Sequence, residues 1–178
     1  MRAELDTTLT EDGPRKGVVH VPAGAGPSIC VAGDTYTVKA STEMTGGALA
    51  FLEASVPPSA GPAPHIHTLE DEAYYLLHGK LEILDTDRTF VAKPGDFVFI
   101  PKGTTHRFKN RGTQTAKMIF LFTPAGFDRF FMEIGKTPQP GAPAPEWTEE
   151  DYRRVAEVGR RYGRLPGETA GADDPAQA

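Results

Sequence analysis

The sequence is short of several features that would have directed it to a familiar class. It holds one cysteine, Cys30, so no intrachain disulfide can form and the fold does not depend on an oxidising compartment. No stretch approaches the roughly 18 apolar residues that a membrane helix needs. Met1 to Gly13 is polar and acidic, without the apolar core of a signal peptide. Basic residues are outnumbered, 19 Lys and Arg against 24 Asp and Glu, for a net charge of −5. Nucleic-acid surfaces need clustered Lys and Arg, so none is expected. The longest basic cluster, Arg160-Arg161 with Arg153-Arg154 before it, falls among acids in an expected helix and reads as a solvated face. A phosphate-binding glycine loop, a nucleophile elbow, a cysteine cluster and an internal repeat are also missing. These absences leave the expectation of a cytoplasmic protein with neither membrane nor nucleic-acid partners.

What is present is punctuation. The 178 residues suffice for one domain with a real core, and they include 19 Gly and 16 Pro. Between these breakers lie short runs rich in Val, Ile, Phe, Tyr and Thr, the pattern of an all-β domain. Strands are expected near 17–21, 28–32, 34–40, 47–56, 63–67, 72–78, 80–85, 89–92, 96–100, 105–109 and 116–123. His78-Gly79 and Asp85 to Arg88 read as hairpin turns. After Pro124 the period changes: Phe127, Phe130, Phe131 and Ile134 recur at helical spacing, with Gly135 as a stop. Lys136 to Pro145 holds four prolines and reads as a linker. Thr148 can cap a second helix, whose first turn carries Glu149, Glu150 and Asp151 at the positive end of its dipole. Tyr152, Val155, Gly159 and Tyr162 would face the β domain. The expected division is a flexible 1–14, a β domain with its following helix over 15–135, a linker and helix over 136–164, and a disordered tail over 165–178.

Three of the five histidines fall in two compact segments. Strand side chains alternate, so His65 and His67 project to the same side. Thr68 to Asp71 can turn, and Glu72 then opens the next strand with a carboxylate. Later, Pro101-Lys102-Gly103 makes a turn from which the chain re-enters a strand carrying His106. Nitrogen and oxygen donors of intermediate softness suit one divalent transition metal per chain: Fe, Ni, Mn, Co or Zn. A single His-x-His is weak grounds for a metal site, so the argument rests on the combined spacing.

That spacing resembles the two motifs of the cupin family. The first appears as His65, His67, Glu72 after four residues, and Gly79 after six more; the second as Gly95, Pro101, Gly103, His106 and Asn110. One departure exists, for Ser59 stands where the first motif opens with Gly, and Gly61 lies two residues on. The resemblance implies an all-β, double-stranded β-helix (jelly-roll) barrel with two short C-terminal helices. It implies His65, His67, Glu72 and His106 as metal ligands, with Glu72 also as the catalytic base. Within the family the chain looks most like single-domain cupins similar to bacterial quercetin 2,3-dioxygenases. Pro64 to His67, Glu72 to Tyr75, and Ala125 to Phe131 carry that likeness. It implies a dioxygenase acting with O2 on an enolisable, hydroxylated, flavonol-like small molecule. A non-redox cyclase or isomerase of a polyketide-like substrate, and a non-catalytic binding protein, are the alternatives.

Tyr74 is in phase with Glu72, and Phe108 with His106; with Phe97, Phe99, Met118 and Phe120 they could line a substrate pocket, though barrel core is the plainer reading for several of them. His78 beside its glycine reads as solvent-exposed, and His20 has no evident partner. A homodimer is expected because barrels expose edge strands, with the N-terminal strand and the C-terminal helix as contacts.

Overall fold

Alternating burial turns the short apolar runs into strands. In the computed structural model, which describes residues 17–139, 141 and 144–168, β1 (Ser28–Val31) and β2 (Asp34–Ala40) form a hairpin. A one-turn helix, α1 (Thr42–Thr45), leads to β3 (Ala50–Val56). Then follow β4 (His65–His67), β5 (Asp71–His78), β6 (Leu81–Asp85), β7 (Arg88–Ala92), β8 (Phe97–Ile100), β9 (His106–Lys109) and β10 (Ala116–Thr123). The chain ends in α2 (Asp128–Ile134), α3 (Glu149–Arg161) and a short β11 (Arg164–Pro166).

Two antiparallel sheets result, in the orders β1-β2-β3-β10-β5-β8 and β11-β4-β9-β6-β7. They face each other as a jelly-roll barrel. Leu52, Val56, Leu76, Leu81, Ile83, Met118 and Phe122 fill its interior, all essentially sealed from solvent. Each such side chain contributes about 1.5–3 kcal/mol through burial. Gly79 makes the β5–β6 turn at φ +72°, where a Cβ would sit 2.8 Å from the Ala116 Cα, so only glycine fits.

Thr148 caps α3 as expected, in a reciprocal box: its hydroxyl accepts from the Asp151 N–H, and the Asp151 carboxylate accepts from the Thr148 N–H at 2.7 Å. The helix presents Val158 and Gly159 inward, with Val155 and Tyr162 part-buried, whereas Tyr152 is 55% exposed and sits beside Trp147. Two expectations fail. Residues 17–21 join no strand, because Pro22, Gly24 and Gly26 turn the chain before it can align with β1. Leu165 and Pro166, expected in a disordered tail, pair with β4 instead. Their partner lies about a hundred residues away, and no local pattern announces it. The rest of the expected tail from 169, and the N-terminal segment 1–14, lie outside the described residues.

Candidate metal centre

β4 is only three residues long, but its burial pattern turns both of its histidines into the barrel. Its neighbour β9 sets His106 directly opposite His65. Glu72 arrives from the facing sheet, on β5. The two motif segments are tied together by backbone: the Gly103 N–H donates to the His67 carbonyl at 2.7 Å, and the Lys102 N–H to Asp71 Oδ1 at 2.9 Å. Asn110 is a clip rather than a ligand. Its amide donates to the Val56 and Gln114 carbonyls, both at 2.8 Å, and its Oδ1 accepts from Gly112.

The donor atoms of His65, His67, Glu72 and His106 all lie within 4.8 Å of one another, and all four residues are buried. Glu72 Oε2 is 2.7 Å from His106 Nε2 and 3.5 Å from His67 Nε2. Each imidazole turns its Nδ1 outward to an acceptor: His65 to the Ala63 carbonyl at 3.0 Å, His106 to the Thr104 carbonyl at 3.0 Å, and His67 to Glu70 Oε1 at 2.6 Å. For His65 and His67 an Nδ1–H donated outward assigns the tautomer that leaves Nε2 as a lone pair pointing inward, whereas His106 also donates from Nε2 to Glu72 Oε2 at 2.7 Å, a proton that a metal ion would displace. His67 Nε2 is sealed from solvent and has no hydrogen-bond partner. A buried orphan nitrogen of this kind, with a carboxylate and two imidazoles around it, fits a metal ion.

The electrostatics agree with a site built for a cation. Burial pushes the His65 pKa well below its ordinary value, and the charge of Arg164 pushes it further. For Glu72, burial favours the neutral acid, but His67 and His106 outweigh it and hold the carboxyl below its usual range. His106 moves the other way: burial opposes its cation, yet the hydrogen bond and charge of Glu72 raise its pKa.

A cavity of about 440 Å³ reaches His65, His67 and Glu72, walled by Phe108, Phe120 and Phe127 and by residues of α2 and α3. Of the residues expected to line a pocket, Phe108 and Phe120 do so. Tyr74 and Met118 are buried but do not line it; the Tyr74 ring packs 4.8 Å from Phe120 and 5.9 Å from Phe108. Phe97 and Phe99 stand outside altogether, 65% and 54% exposed. β8 pairs Ile100 with Glu72 and Val98 with Tyr74, so the aliphatic residues take the inner face. In Phe-Val-Phe-Ile both phases are apolar, and the pattern could not say which faced inward. His78, as expected, lies at the surface.

Several residues of the site escaped the sequence reading. Glu70, hidden in what read as a plain turn, is the buried partner of His67. Phe127 packs edge-on against His67 at 4.3 Å. Asp34, Tyr36 and Arg164 line the cavity, and none belongs to a motif.

Residues 52–122 match the cupin domain family. Together with the jelly-roll barrel, this identifies a cupin domain in the chain, resembling that of quercetinase-like proteins. A stretch of 113 residues is 24% identical to a quercetin 2,3-dioxygenase of Bacillus subtilis, covering 64% of this chain and 33% of that protein. Another of 84 residues is 27% identical to the tetracenomycin polyketide synthase protein TcmJ of Streptomyces glaucescens, covering 47% of this chain and 55% of TcmJ. The chain thus spans about a third and about half of these two relatives. Among solved structures, the polyketide cyclase RemF of Streptomyces resistomycificus shares the fold, with a TM-score of 0.56 at 19% identity, over 77% of this chain and 92% of RemF. Among the described residues, no helix is long and apolar enough to cross a membrane.

Proposed function

We propose that this chain is a metal-dependent enzyme, and first a quercetinase-like dioxygenase of an enolisable, hydroxylated aromatic small molecule. The observation that carries the reading is Glu72: an ionised carboxylate, buried among three inward-facing imidazole nitrogens, at the end of an aromatic-walled cavity. A divalent ion held by His65, His67, Glu72 and His106 would supply Lewis acidity to a substrate oxygen and, if redox-active, a place for O2. The chain's own work is to position and deprotonate. Phe108, Phe120 and Phe127 take the ring and exclude water. Glu72 accepts the proton of the substrate hydroxyl on a carboxylate oxygen, since a lowered pKa keeps it ionised at neutral pH. The ring is left electron-rich, as reaction with O2 requires. The stretch shared with the quercetin dioxygenase supports this reading.

The second reading is a non-redox cyclase or isomerase of a polyketide-like phenol, using the same base without O2. The stretch shared with TcmJ favours it. A purely ligand-binding barrel has no need of four buried polar groups converging on one point, so it ranks below both. Oxygen uptake by metal-reconstituted protein, over a panel of flavonols and polyketide-like phenols, decides between the readings. Uptake with ring-derived products supports the dioxygenase. Conversion of a phenol by the zinc form with no oxygen consumed sinks it in favour of the second reading.

A further inference from the structure

The cavity holds charges that the four candidate ligands do not account for. Arg164, the first residue of β11, faces it from the strand paired with β4. Among the described residues Arg164 forms no ion pair, while the other arginines at the barrel surface, such as Arg88, Arg107 and Arg129, each meet a carboxylate. Its charge is felt by His65 and His106, and it is drawn in turn by Glu72, so it acts at the same place as the metal ligands. Asp34, on the inner face of β2, lines the cavity too. It is 3% exposed; its Oδ2 accepts from the Tyr36 hydroxyl at 3.2 Å, and its Oδ1 has no partner.

Charge counting shows what is missing. Three neutral imidazoles and one carboxylate leave a divalent ion with one net positive charge, and Arg164 adds a second. Besides Asp34, the rest of the wall is mostly aromatic and aliphatic and adds another cation, Lys109, so it offers nothing to offset that charge. Asp34, whose pKa burial drives up to about 7 against the opposing pull of Tyr36 and Lys109, is about half ionised at neutral pH and offsets only part of that charge. A neutral ligand would leave Arg164 without a counter-charge and Asp34 Oδ1 without a hydrogen bond.

We propose that Arg164 and Asp34 form a two-point recognition pair for an acidic, hydroxylated ring compound, Arg164 taking an anionic oxygen and Asp34 a hydroxyl. This rests on reading the cavity as the substrate site, and it narrows the substrate class to one that carries negative charge besides its phenol. Arginine suits the role because its planar fork matches a carboxylate.

The test is calorimetric binding of three probes, 2,4-dihydroxybenzoate, resorcinol and benzoate, to the zinc-loaded and the metal-free protein. Dihydroxybenzoate should bind best to both forms. Arg164→Gln should weaken dihydroxybenzoate by about tenfold or more and leave resorcinol unchanged, with Arg164→Lys intermediate. Asp34→Ala should weaken dihydroxybenzoate and resorcinol but not benzoate. Unchanged metal content and a single cooperative thermal transition in each variant separate this from misfolding. Equal binding of dihydroxybenzoate by Arg164→Gln and the parent overturns the pair, as does failure of all three probes to bind the parent. Binding with the expected variant pattern but no oxygen uptake leaves the pair standing and removes the dioxygenase reading alone.

Discussion

His67 Nδ1 lies 2.6 Å from Glu70 Oε1, and both side chains are almost wholly buried. Glu70 thus sets the tautomer and the ring plane of one candidate ligand from behind. Such outer partners are typically worth about 10–100-fold in metal affinity. Glu70→Ala should therefore bind metal more weakly by about that factor, as read by competition with a chromogenic chelator. Unaltered affinity would reduce Glu70 to a packing residue.

The grouping of four donors predicts one transition metal per chain. Elemental analysis of protein purified without chelator measures it, and His65→Ala should lose metal and activity together. Protein that holds no first-row metal, even after reconstitution, refutes the assignment.

Glu72→Gln separates holding from proton transfer. Glutamine keeps the shape and a carbonyl oxygen, but it accepts no proton at neutral pH. Turnover should fall by about 10²–10⁴ while metal content falls much less. Loss of both in step would make Glu72 a ligand only.

Asp34 predicts a pH dependence of stability. Its folded pKa of about 7 exceeds the 3.8 of an ordinary aspartate, which the unfolded chain keeps. Below about pH 4 the carboxyl is protonated in both states and costs nothing. Between about 4 and 7 the unfolded chain ionises first, so stability falls as pH rises, by up to about 4 kcal/mol in all. Asp34→Asn, which can still accept from Tyr36, should be more stable than the parent at pH 8, with the gap closing toward pH 5. Parallel melting curves across that range would mean that the carboxyl titrates normally.

Phe97 and Phe99 are on the outside, so Phe97→Ser and Phe99→Ser should leave ligand binding and metal content intact. Phe120→Ala, in the wall, should destabilise by about 3–5 kcal/mol and weaken ligand binding. Equal sensitivity of ligand binding at all three positions would contradict the cavity described above.

What was legible in the sequence followed from periodicity and fixed spacing. His65 and His67 share a face because strands alternate, and Thr148 starts α3 because a capping residue precedes three acids. Features set by distant contacts were not legible. β11 exists only because β4 offers it an open edge, and Arg164 reaches the cavity through that pairing. Glu70 looked like any turn acid, since its burial comes from packing that the sequence does not display. Phe97 and Phe99 misled because β8 is apolar on both faces.

The division between barrel and C-terminal segment has an evolutionary reading. All four candidate ligands lie within residues 52–122, the part matched by the cupin domain, whereas Phe127, Tyr152 and Arg164 come after it. Part of the cavity wall is therefore encoded apart from the ligands, while Asp34, Phe108 and Phe120 contribute to it from within or before the matched stretch. Mutations after residue 123 can retune what the cavity admits without touching the atoms that would hold the ion. Drift or recombination in this segment can therefore reshape one side of the cavity, and grafting residues 124–168 onto a related barrel is the laboratory version of that exchange.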